Sequence, residues 1–265
     1  MQPTRERVHT ASAAWAFLPP HAPRVETEEY LLVRYPDWTE RPLQLVRFHP
    51  QRPAAEVLPE VLAHARDLAV LGPTRLTELA CWVRLGAPDD VEPALRARGG
   101  RLDETVDVLA LGLDGPPDLG DLPATTLRWS DDLEVFVDAV GLSAEVFGAS
   151  PTERSELEAA HPGEVAKVRS GGGGAVVAYD GDRPLGSGGL TMAGPDARLW
   201  GGVVHPSARG RGIYRAVLAA RLAYAAGRGA DLAIVKGRVE TSGPILRRAG
   251  FTGHGQERSW LVDLS

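Results

Sequence analysis

The feature that most restricts the fold is an internal repeat. LVRFHP (45–50) and GGVVHP (201–206) are each a short apolar run closed by His-Pro and followed by a helical pattern. EPALRARGG (92–100) stands opposite GPILRRAGF (243–251), and VLALGL (108–113) opposite SWLVDL (259–264). The paired segments lie about 150 residues apart, so the chain reads as one strand-helix-strand-helix-strand unit used twice. A length of 265 residues accommodates two such units. The seam between them is GLDGPPDLGDLP (112–123), where Gly115-Pro116-Pro117 and Gly120 break both helix and strand. The boundary is placed at Leu122, giving domains of residues 1–122 and 123–265.

In the C-terminal domain, strands are expected at Ala124–Trp129, Ala175–Tyr179, Leu185–Met192, Leu199–Val204, Leu232–Val235 and Ser259–Leu264. Ser130 is the expected N-cap of a helix through Val140, and a second helix is expected over Thr152–Ala160. Ile213, Val217, Leu218, Leu222 and Ala225 recur at helical spacing until Gly227 and Gly229, and Gly243–Ala249 makes a short helix. In the N-terminal domain, strands are expected at Glu29–Arg34, Gln44–Phe48, Glu78–Leu85 and Thr105–Leu113. Helices are expected there at Ala54–Val70 and Asp89–Arg98. The fold class is therefore mixed α/β (α+β).

Composition excludes several functions. A net charge of -6 argues against general nucleic-acid or anionic-membrane binding. No apolar run approaches the ~18 residues of a membrane span. The opening stretch MQPTRERVHTASAAWAFLPP lacks the apolar core and cleavage site of a secretory signal. The single cysteine, Cys81, allows neither an intrachain disulfide nor a Cys-rich zinc site, and a cytoplasmic location is expected. The histidines show no zinc-like spacing, so no metal is expected. Ser170 and the glycines 171–174 precede a strand rather than a helix, which favours a flexible connection over a phosphate loop. Trp82, Trp129, Trp200 and Trp260 fall in expected strands and read as core, although Trp129 or Trp200 could line an acceptor pocket.

The chemistry concentrates in VVHPSARGRGIYRAVL (203–218), a strand, a bend at His205-Pro206, and a loop with Gly210 and Gly212 entering a helix. Glycines let the backbone approach a ligand, and the helix N-terminus adds about half a positive charge. Residues 197–230 hold Arg198, Arg209, Arg211, Arg215, Arg221 and Arg228 and no Asp or Glu, which implies an electropositive trough. The ligand expected here is a phosphate. The loop lacks Gly-Lys-Ser/Thr and the GxGxxG spacing, which disfavours nucleoside triphosphate hydrolysis and dinucleotide binding. Alone, such a Gly/Arg segment is equally a bare structural turn.

With its context, the segment resembles the GCN5-related N-acetyltransferases (the GNAT superfamily). Their signature, Arg/Gln-x-x-Gly-x-Gly/Ala, is similar to Arg209-Gly210-Arg211-Gly212-Ile213-Tyr214, departing at Tyr214. LAIVKGRVETSGPILRRAGF (232–251) matches the family's strand-helix-GF ending, and the resemblance covers about residues 124–265. It implies two tandem GNAT-like lobes, each a mixed, mostly antiparallel sheet flanked by helices. It implies acetyl-CoA as cosubstrate and an amine acceptor as the second substrate. The amides of Arg209, Gly210, Arg211, Gly212, Ile213 and Tyr214 would hold the pyrophosphate, and Val203, Val204 and His205 the pantetheine arm. Thr241 and Ser242 stand where members often place an Asn on the cofactor, although capping of the following helix explains them equally well.

The implied reaction is attack by an amine on a thioester. A primary amine has a pKa near about 10.4 and must lose a proton first. The oxyanion needs a donor, expected from the amide of Val203 or Val204. Many members protonate the departing thiolate with a Tyr whose position is Leu246 here, so that proton must come from elsewhere. Glu240 is the candidate base and Tyr214 the candidate acid, with Tyr179, His205 and His254 as further alternatives. At the equivalent point of the N-terminal domain, QRPAAEVLPE (51–60) has lost the glycines, and Glu56 and Glu60 would repel a pyrophosphate. That domain is expected to be a degenerate GNAT-like lobe without cofactor. The leading expectation is an N-acetyltransferase acting on a small molecule or a protein amine. The rival is a non-catalytic acyl-CoA sensor or scaffold, and homodimerisation is left open.

Overall fold

The computed structural model describes residues 2–19, 21–37, 39–115 and 119–265, so Pro116 and Pro117 of the expected seam lie outside the described residues. In chain order the elements begin with α1 (Arg5–Ala13), β1 (Arg24–Glu26), β2 (Tyr30–Arg34), β3 (Leu43–Phe48), α2 (Ala54–Ala69), β4 (Glu78–Val83), α3 (Val91–Ala97) and β5 (Arg101–Gly112). They continue with β6 (Thr126–Trp129), α4 (Leu133–Phe147), α5 (Arg154–Arg169), β7 (Gly173–Asp180), β8 (Arg183–Ala193) and β9 (Asp196–Val204). The last are α6 (Ile213–Gly227), β10 (Leu232–Arg238), α7 (Ser242–Arg248) and β11 (Thr252–Asp263). The chain is mixed α/β with mostly antiparallel pairing.

Two compact units form, each from separated stretches. One comprises Met1–Thr4, Leu109–Lys236 and Pro244–Gly253; the other comprises Arg5–Val108, Gly237–Gly243 and His254–Ser265. In the 5–108 unit the strand order is β1-β2-β3-β4-β11-β5. The β3–β4 pair is parallel, with Leu45 opposite Cys81, and β4–β11 is antiparallel from Arg258↔Val83 to Asp263↔Glu78. The apolar stripe of α2, Val57, Leu58, Val61, Leu62 and Ala65, packs with Leu45, Leu79, Leu95, Trp260 and Val262 in one buried core. Spacing of three and four places these helix residues on one face, which is why an isolated sequence pattern already locates that core.

In the 109–236 unit the order is β5-β10-β9-β8-β7-β6. Alternation along the strands sends successive side chains to opposite faces. Ala175, Val177 and Tyr179 meet Val135 and Ala139 of α4, whereas Val176, Ala178 and Leu185 meet Ile213 and Val217 of α6.

The repeat holds at the level of topology. β3-α2-β4-α3-β5 recurs as β9-α6-β10-α7-β11, and the first and third elements of each pair in parallel. The closing strands are traded: β4 pairs with β11, while Leu109 at the end of β5 joins the core of the 109–236 unit.

Several local expectations are corrected. Ser130 does not cap α4; Asp132 does, its Oδ1 accepting from the amides of Glu134 at 2.9 Å and Val135 at 3.2 Å. Ser130 is fully buried, accepting from the Ala175 amide and donating to Glu164. α5 runs past Pro162 to Arg169 because Leu157 and Val168 anchor both halves; a proline costs the helix a bond but does not end it when packing continues. β11 is longer than expected and begins at Thr252. α1 and β1 come in addition to the expected elements. The run 171–174 is not a slack connection: a Cβ on Gly173 would meet Leu190 O at 2.3 Å, and one on Gly174 would meet Val168 Cγ2 at 2.5 Å.

Candidate functional site

The site is built on the end of β9. Leu232–Val235 of β10 pair with Asp196–Leu199, and the ladder stops there although β9 continues to Val204. The cause lies on β9's other side. Gly189 is opposite Trp200 and Ser187 opposite Val203, so Gly201 and Gly202 together face the single residue Gly188. That is a β-bulge, and Gly201 takes the positive φ (60°) it requires. A bulge sharpens twist, which turns the last residues of β9 away from β10. The His205 amide donates to Leu185 O at 2.9 Å, toward β8. Backbone groups alternate along a strand, so the Val204 amide faces the open side and that of Val203 faces β8.

Past β9, Pro206–Ala208 form a single 3-10 turn whose start is capped by the His205 ring accepting from the Ser207 amide at 3.2 Å. Gly210 (φ 75°) and Gly212 (φ 78°) then turn the backbone into α6. Helical bonding starts with the Arg215 and Ala216 amides, both donating to Gly212 O. Among the described residues the amides of Gly210, Arg211, Gly212, Ile213 and Tyr214 donate to no backbone carbonyl, the last three because they stand at the N-cap and in the first turn of α6. A Cβ on Gly210 would meet nothing within 4 Å, so the space at that glycine is open. This arrangement accepts an anion with several acceptor oxygens.

The arginine trough is narrower than expected. Arg209, Arg211 and Arg215 lie at the cradle, where Arg211 faces Asp180 at 3.3 Å and Arg215 donates to Leu119 O at 3.0 Å. Arg228 stacks on Tyr224 at the far end of α6, and Arg198 sits at the opposite end of β9. Arg221 is 1% exposed, inside the fold. An acid-free window in sequence does not converge in space when a strand and a helix carry it in opposite directions.

Of the candidate acids and bases, Tyr214 is at the site. Its ring covers Gly202, where a Cβ would stand 2.9 Å from Tyr214 Cε2 and 3.4 Å from its Oη. The bulky residue at 214 is matched by the absence of one at 202. Leu246 is fully buried in the core of the same unit, so that position supplies no proton. Tyr179 donates to Asp138 Oδ2 at 2.7 Å, and burial together with that carboxylate pushes its pKa up. His205 is engaged by Ser207 at Nδ1 (2.7 Å) and by Glu145 at Nε2 (3.1 Å). Glu240 and Thr241 are exposed in the turn after β10, and Ser242 opens α7; all three fall in the Gly237–Gly243 stretch of the other unit. His254 also belongs to that unit, its pKa held below the usual value by burial and by His9 and Arg5. Trp129 packs on Tyr224 at 4.6 Å, as a core residue does. Trp200 is 40% exposed, with Lys167 over its ring and its Nε1 donating to Thr191.

The N-terminal counterpart of the cradle is filled from within. Glu29 Oε1 accepts from the amides of Gln51 (2.9 Å) and Arg52 (3.2 Å), and Asp90 Oδ2 accepts from that of Ala54 (2.7 Å). Arg52 bridges Glu29 and Glu60, and its guanidinium holds the Glu29 carboxyl down at about 2. The repelling charge expected from Glu56 and Glu60 is joined by Glu29, a carboxylate already seated on the amides.

Among the described residues no helix is long and apolar enough to cross a membrane, and no group of three His, Cys, Asp or Glu is placed to hold a metal ion. No curated protein sequence matches the chain. Solved structures do. A GCN5-related N-acetyltransferase from Kribbella flavida superposes with a TM-score of 0.67 at 17% identity, covering 91% of this chain and 89% of that one. One from Sphaerobacter thermophilus gives 0.63 at 19% identity, over 91% and 82%. A tandem GNAT protein from the clavulanic acid biosynthesis pathway gives 0.64 at 19% identity, over 98% and 88%. These likenesses concern the fold. The sequence profile of the acetyltransferase (GNAT) family matches residues 143–249, which span α5 to α7 with the bulged strand and the cradle between them. The stretch 143–249 is therefore a domain of the acetyltransferase (GNAT) family, within a chain whose fold is that of GNAT proteins.

Proposed function

We propose that residues 123–265 carry an acyl-CoA-dependent N-acetyltransferase, which moves acetyl from acetyl-CoA to a primary amine of a small molecule or a protein. The observation that carries this reading is the row of amides at Gly210–Tyr214, without internal acceptors, beside the unpaired end of β9. A pyrophosphate suits the amides in charge and acceptor count. The amide-bearing pantetheine arm suits a strand edge that its neighbour has left. The attacking amine's lone pair forms the C–N bond as the carbonyl pair moves onto oxygen, where a backbone donor such as Val204 stabilises it. Collapse restores the carbonyl, and the C–S bonding pair leaves on sulfur. Tyr214 Oη gives sulfur its proton, and the proton lost by the amine returns to the phenolate through water.

Residues 1–122 are proposed to hold no acyl-CoA, because Glu29 and Asp90 sit on the amides that a pyrophosphate would need. A cytoplasmic location fits a free, buried Cys81, whose thiol burial pushes up and so keeps unreactive.

Thiol release from acetyl-CoA, measured against a panel of primary amines, tests the reading. Tyr214→Phe is expected to keep acetyl-CoA affinity while lowering kcat by about ten- to a hundredfold, the lower range of general-acid effects because a thiolate leaves readily. Leu246 at the family's proton-donor position favours the second reading, an acyl-CoA sensor. Binding without turnover for any amine would select that reading.

A further inference from the structure

Arg221 is the least comfortable side chain of the 109–236 unit. It lies on the apolar stripe of α6 and is 1% exposed, yet among the described residues it has no carboxylate partner. Its Nε donates to Val217 O at 3.4 Å, and its Nη1 to Gly189 O at 3.3 Å and Trp200 O at 3.4 Å. Nη2 is buried with no hydrogen-bond partner. A buried cation held only by long bonds to carbonyls is costly, and an apolar side chain of similar volume would ordinarily be more stable. Burial lowers its pKa, and Tyr214 opposes that shift.

The surroundings have been cleared for it. A Cβ on Gly188, the residue facing the bulge, would lie 2.9 Å from Arg221 Cζ and Nη1. Both carbonyls that Arg221 Nη1 reaches flank the bulge, one on β8 and one on β9. Two helical turns earlier on the same face is Tyr214, whose ring centroid is 6.0 Å from the guanidinium carbon and whose hydroxyl covers Gly202. The cation thus lies against the bulge, and its neighbour Tyr214 covers Gly202.

We propose that Arg221 is a positioning residue for the transfer step, holding the Tyr214 hydroxyl over Gly202 and stabilising the phenolate left when that hydroxyl protonates the departing sulfur. The inference rests on Tyr214 being the proton donor of the proposed acetyltransferase. The C–S pair goes to sulfur, the phenolic proton follows it, and the O–H pair stays on the phenolate, whose ring the guanidinium overlies. No further reactant is needed. It also accounts for a tyrosine where the family signature has Gly or Ala, since the cation and the glycines at 188 and 202 provide its place.

The test is a cycle in the full chain with Arg221→Met, Arg221→Lys, Tyr214→Phe and the Arg221→Met/Tyr214→Phe double variant. Urea midpoint, acetyl-CoA affinity and kcat for thiol release are read with the best amine of the panel, or with water as acceptor if none reacts. Arg221→Met is expected to keep or raise the urea midpoint, to leave affinity within about twofold, and to lower kcat at least tenfold. Arg221→Lys should recover part of that loss, and Arg221→Met should add nothing once Tyr214 is Phe. Multiplying effects in the double variant, an unchanged kcat in Arg221→Met, or a Met variant that fails to fold while Lys folds would each overturn the positioning role. If Tyr214→Phe itself leaves kcat unchanged, the proton-donor reading fails, and the role of Arg221 fails with it. Loss of kcat in Tyr214→Phe but not in Arg221→Met overturns the role of Arg221 alone.

Discussion

Residues 123–265 expressed alone are expected to be insoluble, although they contain the whole matched family segment. The reason is the trade of closing strands. Arg258–Asp263 of β11 are bonded to β4, and Trp260, Val262 and Leu264 are buried with Leu79, Cys81 and Leu95. Removing 1–122 exposes all three and leaves an unpaired apolar strand edge, the kind of surface that aggregates. It also takes away Leu109 and Leu113 from the core that holds Leu246 and Phe251. Each buried large side chain contributes about 1.5–3 kcal/mol, so the five together approach the roughly 5–15 kcal/mol by which a domain is stable. Soluble yield and near-ultraviolet circular dichroism of the fragment check this. Co-expression with 1–122 should restore both. A soluble, cooperatively unfolding 123–265 would mean that β11 has another resting place and that the trade is dispensable.

Gly210→Glu is expected to abolish stabilisation by acetyl-CoA. The position has space for a side chain, so the carboxylate is admitted and stands among the amides that would bind phosphate. Its φ of 75° makes any side chain cost about 1–2 kcal/mol, which Gly210→Ala measures separately. With ligand at a hundred times its Kd, the parent chain gains about 2.7 kcal/mol, a midpoint rise on the order of 5–10 °C for a chain of this size. Gly210→Ala should start lower and keep most of the rise; Gly210→Glu should keep none. A rise of equal size in all three proteins would place the ligand away from α6. The N-terminal unit shows the same device in natural form, with Glu29 seated on the amides before α2.

The sequence carried more of the fold than of the site. Strand and helix positions followed from period and punctuation, and the His-Pro repeat located both copies of the unit. What pairing β11 would choose was not legible, because an apolar strand such as SWLVDL satisfies β4 or β10 equally well by pattern. In the site, the glycines announced the cradle through their chemistry alone. Thr241 and Ser242 follow from a position in the family's motif and Glu240 from its place at a strand end; all three lie in the Gly237–Gly243 stretch, which clusters with the other unit. The partner of the Tyr179 hydroxyl, Asp138, is distant in sequence and not legible from it. Arg221 is legible as an oddity: a charge four residues after Val217, on a stripe otherwise apolar, is an anomaly of helical spacing. The bulge that gives it meaning was not readable, since Gly201-Gly202 marks flexibility in a strand without saying which residue opposes them.

Calorimetric titration of acetyl-CoA into the full chain tests the central claim most directly. One site per chain is the predicted result, supplied by the Gly210–Tyr214 cradle and removed by Gly210→Glu. No binding heat at any temperature, or two sites per chain, would contradict it: the first by denying the cradle its ligand, the second by showing that Glu29 and Asp90 do not close its N-terminal counterpart.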